Sequence, residues 1–580
     1  MDKYSWDLSK IYKSNVEFIE DVEKVKKLAD KIETIKDDFR ANFKEIVIGI
    51  DEIMGLLSKL YTYSHMKQDE NTKITKSQQD ALLIESLEAD ISGKLAFFEP
   101  DLLSLEENEY VKLIKDNGLE HYKRHLDKIF RFKEYTLSME AEKVISSFSQ
   151  SLNAPQSAYY FLTNADMMFP RIRSKENIRL TNANYISLLK DPDRKVREEA
   201  FNSYYKTMDF VDNTFASLMY NNVNKLVTEA KLRGYDSARS MELYKDNVSL
   251  EVYDNLIDIV HEYLPYLHEY YNFRNEIFGF KEHMYDVYLP TVSEFAKKIP
   301  FDEAKETIKT ALKPLGDEYI EILNHGLENN WIDVYPKDGK KNGAYSWGDY
   351  DSDPFILLNY TDDLDSLFTT AHELGHSMHS YFSRKNNDRI YSEYSIFVAE
   401  VASTTNELLM LKHLLKNAKD KNEKLYLMDH YIDSFKSTVF RQTMFAEFEK
   451  ITHETVENGE SLTVDKLNEI YYDLNKKYFG DGVVSDEYIK LEWARIPHFY
   501  SNFYVYKYAT GFTSAEILSH KILNENGLEN YLNFLKDGSN NYPLDQLRSA
   551  GCDIANKDNL RLALDVFKKL VEDFKETYKK

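Results

Sequence analysis

The stretch His372-Glu373-Leu374-Gly375-His376 lies inside a long segment with helical periodicity, and the interpretation of the whole chain starts from it. An α-helix has 3.6 residues per turn, so residues four positions apart share a face and both imidazoles can reach one metal ion. Glu373 stands beside the first histidine, where a carboxylate can act as a general base. The motif predicts a zinc site with its base attached. A helix that only carries surface histidines is the alternative.

The third metal ligand must come from another part of the chain, since a catalytic zinc normally has three protein ligands and an open position for water. Glu400 lies on the next predicted helix, which starts near Ser395, among small and apolar residues. Burial of an ionised carboxylate is unfavourable unless a positive charge compensates it, and a divalent ion would do so. We therefore expect one Zn²⁺ per chain, bound by His372, His376 and Glu400.

Three neighbouring residues have predicted roles around this ion. His379 is on the same helix face as His372 but a further turn along, so it is an alternative ligand for which hydrogen bonding beside the site is favoured. Glu407 is on the same face as Glu400 and could orient a ligand histidine, or be an ordinary solvated glutamate. Gly375 costs about 1 kcal/mol inside a helix, which predicts that another segment packs very close there.

The elements around the motif can also be predicted. The zinc helix is expected to run from an N-cap at Thr361 to about Arg384, with acidic residues in its first turn. The turn-rich segment 338–348 and the apolar run 355–360 come just before it and predict strands. A small β-sheet is therefore expected next to the zinc helix.

The composition predicts a mainly α chain. Among 580 residues there are only 19 Gly and 12 Pro, and 30% are charged, which favours helices over loops and sheets. Residues from about 14 to 150 show the three-and-four spacing of apolar residues that is typical of amphipathic helices, and this pattern is interrupted between Pro155 and Pro170. We expect a helical N-terminal lobe over residues 1–180 and a catalytic domain over residues 181–580.

Charge, cysteine content and the N-terminus exclude several classes of function. The net charge of −24 argues against nucleic-acid binding, which needs a compensating basic surface. The single cysteine, Cys552, cannot form an internal disulfide, which fits a reducing compartment. Residues 1–8 lack the pattern of an export signal, and no apolar run approaches the roughly 18–20 residues that span a bilayer. We expect a cytoplasmic protein with no membrane span and no obligate protein partner.

The segment 495–509 contains candidate donors for the oxyanion that forms when water attacks a carbonyl. It carries His498 and several tyrosines, of which Tyr504 and Tyr508 are four residues apart and share a helix face. The chain has 43 tyrosines, so an aromatic helix that only packs is the alternative explanation.

Four blocks together resemble the oligoendopeptidase F branch of the thimet-oligopeptidase-like zinc metallopeptidases. They span residues 343–348, 372–379, 397–404 and 496–500, the last with its following tyrosines. The resemblance implies a helical ellipsoid of two lobes around a deep channel that admits short unfolded peptides. Leu374 stands where many relatives have Phe, and both residues are apolar.

The resemblance also implies roles for individual residues. His498 and Tyr508 would donate hydrogen bonds to the transition state, and Tyr504 is a further candidate because the spacing in this segment varies among relatives. The role of Tyr506 stays open. The same family pattern makes Glu373 the base and His372, His376 and Glu400 the zinc ligands, and it places the substrate backbone along an edge strand that contains Gly343, Ala344 and Tyr345.

The predicted activity is that of a zinc-dependent endopeptidase, which hydrolyses internal bonds of short unfolded oligopeptides through a metal-activated water. A zinc carboxypeptidase or dipeptidyl carboxypeptidase of similar helical fold is the nearest alternative. Cleavage from a chain end requires a cationic pocket for the terminal carboxylate, and the sequence does not identify one. A helical peptide-binding protein with a vestigial motif is a third hypothesis, from a different functional class.

Overall fold

The computed structural model describes residues 3–292 and 298–580, and most of them are helical. The helices are α1 Asn15–Ile35, α2 Phe43–Glu70, α3 Thr75–Leu95, α4 Phe98–Ser104, α5 Glu107–Asp116, α6 Lys123–Phe130, α7 Met139–Leu152, α8 Ala154–Phe161, α9 Asn182–Leu189, α10 Arg194–Asp209, α11 Asp212–Arg233, α12 Ala238–Lys245, α13 Leu250–Phe278, α14 Phe301–Ala311, α15 Gly316–Glu328, α16 Leu364–Asn386, α17 Ile396–Lys416, α18 Lys421–Ser434, α19 Arg441–Glu457, α20 Val464–Phe479, α21 Tyr506–Asn524, α22 Leu528–Lys536, α23 Pro543–Ser549 and α24 Lys557–Lys579. The prediction of a mainly α fold is confirmed.

Within residues 3–292 and 298–580, the strands are short and form three small sheets. They are β1 Arg171–Ile172, β2 Ile178–Arg179, β3 Glu282–His283, β4 Ile332–Asp333, β5 Tyr345–Trp347, β6 Phe355–Leu357 and β7 Val483–Val484. The sheet just before α16 has the order β4-β6-β5, with β5 antiparallel and β4 parallel to β6. This is the small sheet that was expected beside the zinc helix, and β5 lies at its edge.

The chain divides into two compact units, each built from three separate stretches. The first unit contains Met1–Met139, Ala296–Met410 and Leu518–Gly551, and the second contains Glu140–Phe295, Leu411–Ile517 and Cys552–Lys580. The predicted division at residue 180 assumes continuous halves. Here, contacts between residues distant in sequence define the units, and the division at 180 stays a prediction.

The first unit has a hydrophobic core that packs against β6 and the edge strand β5. Buried apolar side chains of α1, α2 and α3 pack with Phe355 and Leu357 of β6, and the rings of Tyr345 and Trp347 of β5 cover the same cluster. Since side chains alternate along a strand, Ser346 points to the opposite face. There its Oγ lies 2.8 Å from the Ser377 Oγ of α16. The apolar core therefore fixes how β5 is oriented against the helix of the histidine motif.

The start of α16 differs from the prediction. The N-cap is Asp363, whose side chain accepts a hydrogen bond from the backbone N–H of Ser366, and the helix ends at Asn386. Thr361 was expected in the capping position, but its Oγ1 donates to the Asp363 carboxylate at 2.7 Å. A carboxylate is an equally good N-cap and also complements the helix dipole, which accounts for the two-residue shift.

Candidate functional site

Three candidate ligands from α16 and α17 converge on one point. One ligand atom from each of His372, His376 and Glu400 lies within 4.8 Å of the other two. The two Nε2 atoms are 3.1 Å apart, and Glu400 Oε2 lies 3.5 Å from Nε2 of His372 and 3.9 Å from that of His376. Tetrahedral ligands at about 2.0–2.1 Å from zinc are roughly 3.3 Å from each other. Both the chemistry and the spacing of this donor set fit a divalent metal.

Gly375 allows the two helices to approach closely enough to form this group. A Cβ at this position would lie 2.5 Å from the Cα of Ser403 and 2.9 Å from the carbonyl oxygen of Ala402, both in α17. The prediction of very close packing at Gly375 is confirmed. The absence of a side chain there brings Glu400, one turn before Ser403, to the histidine face of α16.

Glu407 contacts the first histidine from α17. Its Oε1 lies 2.5 Å from His372 Nδ1, which leaves Nε2 directed at the ligand group. Burial lowers the pKa of His372, but the hydrogen bond to Glu407 and the charges of Glu407, Glu373 and Glu400 raise it to about 9. A metal ion binds the neutral imidazole, so metal binding would release the extra proton that the His372 ring carries below this pKa. A carboxylate behind a ligand histidine is a common way to fix its tautomer.

Glu373 lies beside the ligand group with only 7% of its surface exposed. Burial is the main cause that raises the pKa of its carboxyl group to about 7, and the carboxylates of Glu400 and Glu407 add to the effect. The charge of His372 and a hydrogen bond from the Ser346 backbone oppose it. The sequence did not predict that β5 lies near this carboxyl group, because the packing of a short strand on a helix leaves no periodic signal.

His379 is buried outside the ligand group. Its ring stacks on Tyr394 at a centroid distance of 3.6 Å, and neither ring nitrogen has a hydrogen-bond partner among the described residues. The predicted hydrogen bond beside the metal is therefore not formed within this set. Burial, with a smaller contribution from the charge of His376, lowers the pKa of His379 to about 3, so the ring packs as a neutral aromatic group.

The strand expected to bind the substrate backbone is β5 with the two residues before it. Gly343 has φ +88°, a left-handed conformation that favours glycine, and its carbonyl accepts a hydrogen bond from Asn359 Nδ2 at 2.8 Å. Ala344 leads into the strand, where the Tyr345 hydroxyl donates to Asp69 Oδ2 at 3.0 Å. Among the described residues, no further strand pairs with the outer edge of β5.

The aromatic residues predicted as donors belong to the second unit and form a group of their own. His498 lies in a 3-10 helix, Pro497–Tyr500, and Tyr508 lies in the first turn of α21. The Tyr508 hydroxyl is 3.5 Å from His498 Nε2, and the Tyr504 ring packs edge-on against Tyr508 with centroids 5.3 Å apart. The structure brings these three residues together, whereas the Tyr506 ring is buried against Tyr253.

Comparison with known proteins identifies the family. The model of peptidase family M3 matches residues 187–566, and the model described as oligopeptidase F matches residues 101–169. The chain belongs to peptidase family M3. Oligopeptidase PepF of Bacillus subtilis is 39% identical to this M3 peptidase, with 99% of this chain and 87% of the relative covered. Group B oligopeptidase PepB of Streptococcus agalactiae is 38% identical, with 98% and 96% covered.

Solved structures agree with this assignment. Oligoendopeptidase-F of Enterococcus faecium is similar with a TM-score of 0.76 and 34% identity, over 97% of this chain and 98% of the other. A crystal structure from Chlamydophila abortus gives a TM-score of 0.93 and 33% identity, over 99% and 98%. The resemblance to oligoendopeptidase F is confirmed, and as an M3 peptidase the chain is a metallopeptidase.

None of the described helices combines the length and the apolar character that a membrane crossing requires.

Proposed function

We propose that this M3 peptidase is a zinc-dependent endopeptidase that hydrolyses internal bonds of short unfolded oligopeptides. The observation that carries the proposal is the donor set of His372, His376 and Glu400 with the buried carboxyl of Glu373 beside it. The relatives named as oligopeptidases and oligoendopeptidases support the substrate class. The cytoplasmic location expected from the sequence stays a prediction.

Zinc would be held by His372, His376 and Glu400, and when bound it would supply a Lewis acid that polarises the scissile carbonyl and acidifies an attacking water. Glu407 keeps the Nδ1 proton of His372 on its own side, so that Nε2 remains available as a ligand.

Glu373 acts as the general base in this proposal. Its carboxylate accepts a proton from the attacking water and then passes it to the nitrogen of the leaving amine, so that one residue serves both half-reactions. Burial raises the pKa of this carboxyl group in the metal-free protein, which favours its acceptance of a proton.

The other residues bind the substrate and stabilise developing charge. An extended peptide would add to the outer edge of β5 next to Gly343, Ala344 and Tyr345, since unpaired strand edges bind peptides through backbone hydrogen bonds. His498 and Tyr508 would donate to the oxyanion, with Tyr504 as a further donor.

The test uses a peptide of about ten residues that is blocked at both ends. Internal cleavage that stops in Glu373→Gln, while the variant retains its metal by plasma mass spectrometry, supports the proposal. Activity lost to a chelator and restored by Zn²⁺ would identify the ion. If the enzyme cleaves only the unblocked peptide, the carboxypeptidase alternative replaces the endopeptidase. Full activity in Glu373→Gln would remove Glu373 from the mechanism.

A further inference from the structure

Phe503 has an unusual backbone conformation for its residue type. Its φ is +51°, in the left-handed region. Six other non-glycine residues of the described chain have positive φ, and all of them are Asn, Asp or Glu. A bulky aromatic residue adopts this conformation only when its surroundings impose it, and such strain concentrates at functional sites. Phe503 lies in the connection 501–505, between the 3-10 helix that carries His498 and the helix that carries Tyr508.

A buried carboxyl group holds this conformation in place. The backbone N–H of Phe503 donates to Oε1 of Glu449 at 2.9 Å. Glu449 lies in α19 and is 2% exposed. Phe503 is also 2% exposed, and its ring packs against His453 and Tyr253 at centroid distances of 4.5 Å and 5.9 Å.

Among the residues that the structure describes, no cation pairs with Glu449. Burial raises the pKa of its carboxyl group to about 8, while the hydrogen bond from Phe503 lowers it and the charge of Glu242 raises it. Its Oε2 atom has no hydrogen-bond partner among the described residues. A buried carboxyl group is unfavourable for stability unless it is paired, so an apolar residue would suit a purely structural position better. The contact with Phe503 is the interaction that explains a carboxyl group here.

A second buried polar side chain binds the chain just before Phe503. Asn222 of α11 is 2% exposed, and its Nδ2 donates to the carbonyl oxygen of Phe499 at 3.1 Å and to Oδ1 of Asn502 at 2.9 Å. The connection is therefore bonded to α11 just before the strained residue and to α19 at that residue. Both anchors lie in the same unit as the pair that they flank.

We propose that Glu449 is a positioning residue, which fixes the backbone at Phe503 so that His498 and Tyr508 face each other. The 3.5 Å separation of Tyr508 Oη and His498 Nε2 depends on the direction in which α21 leaves the connection. The catalytic consequence rests on the proposed function, in which this pair stabilises the oxyanion. The structural consequence does not depend on it.

The experiment compares three variants of the full-length metal-loaded enzyme. Glu449→Leu replaces the acceptor with an apolar side chain, and Glu449→Gln keeps a carbonyl acceptor that cannot ionise. Glu447→Leu is the matched control, because Glu447 is also a buried glutamate of α19 but bonds to His261, Lys477 and Tyr478. The readouts are kcat and KM on a blocked peptide, and hydrogen exchange of the peptide fragment that covers 499–507.

The proposal expects a tenfold or larger fall in kcat for Glu449→Leu with KM changed less than twofold, and exchange at least tenfold faster in 499–507. Glu449→Gln should stay within twofold of wild type in both readouts. Glu447→Leu should lower thermal stability without either effect.

Three outcomes would overturn the proposal. Wild-type exchange in 499–507 of Glu449→Leu would show that the carboxyl group does not hold the connection. Equal losses of kcat in Glu447→Leu and Glu449→Leu would show a general structural role. If Glu449→Leu does not fold, Glu449→Gln decides. Glutamine keeps a carbonyl acceptor, so a tenfold loss of kcat in this variant would show that an acceptor for the Phe503 N–H is not sufficient. If the wild type cleaves no peptide, the proposed function fails, and the exchange measurement still decides the positioning role.

Discussion

His372 and His376 stand on one uninterrupted helix, whereas His498 and Tyr508 are separated by the end of a 3-10 helix, a strained residue and the start of another helix. In the first pair, helical periodicity alone sets the relative positions of the side chains. In the second pair, the positions depend on buried polar contacts from remote parts of the chain. The candidate ligand group should therefore be sensitive to substitution of its ligands and to the spacing of α16 and α17. The pair of His498 and Tyr508 should depend on the Tyr508 hydroxyl and on the buried contacts of Glu449 and Asn222.

Loss of the third ligand should have the largest effect. Glu400→Ala leaves two histidines, so we expect the bound metal to be lost and activity to fall by roughly three orders of magnitude or more, as for removal of a principal catalytic group. Metal content after gel filtration checks this. His379→Ala is the control, because this ring lies outside the ligand group and should leave most of the metal bound. The reverse pattern would overturn the ligand assignment.

The hydroxyl of Tyr508 tests the aromatic pair. If it donates mainly to the oxyanion, Tyr508→Phe should lower kcat by about 10²–10³-fold with a smaller change in KM. Steady-state kinetics on the blocked peptide measures both constants. Tyr500→Phe is a suitable control, since the ring of Tyr500 stacks on Tyr159 and has no proposed catalytic role. Unchanged kinetics in Tyr508→Phe would assign this residue to packing.

Removal of the Glu407 carboxylate, which contacts His372, should lower metal affinity less than removal of a ligand does. Glu407→Ala removes the hydrogen bond to Nδ1 of His372, and we expect metal affinity to fall by about 10–100-fold. Titration against a competing chelator measures this change. Glu393→Ala changes an exposed glutamate and should leave affinity unaltered. Equal affinity in Glu407→Ala and wild type would return Glu407 to the class of ordinary surface glutamates.

A substitution that disturbs the close approach of α16 and α17 at Gly375 should have the smallest effect of the four substitutions. A methyl group in Gly375→Ala meets the backbone of Ser403, and overpacking of this kind costs about 1–3 kcal/mol. We expect a lower thermal midpoint and weaker metal binding as the helices separate. Gly93→Ala in α3 is matched to it, because its Cβ would meet nothing within 4 Å and alanine favours helices. A stabilising Gly375→Ala would contradict the packing argument.

The candidate metal ligands could be predicted from local sequence signals, whereas the contacts that position His498 and Tyr508 could not. The spacing of His372 and His376, the unusual glycine between them and the lone acid at Glu400 are local signals. The N-cap was placed two residues early because several capping residues follow one another. Glu449 and Asn222 could not be predicted, since they contact the connection from 54 and 280 residues away and no local pattern marks them.

The division of each unit into three stretches has a consequence for how the chain folds during synthesis. The first unit joins residues 1–139 with residues 518–551, and the side chain of Arg124 donates to the carbonyl oxygen of Asn540, 416 positions later. At about 5–20 residues per second, a ribosome needs roughly 20–80 seconds to reach those partners. The N-terminal helices emerge long before the chain can cover them, so nascent forms of this peptidase should expose apolar helix faces and be good clients for chaperones that bind such surfaces.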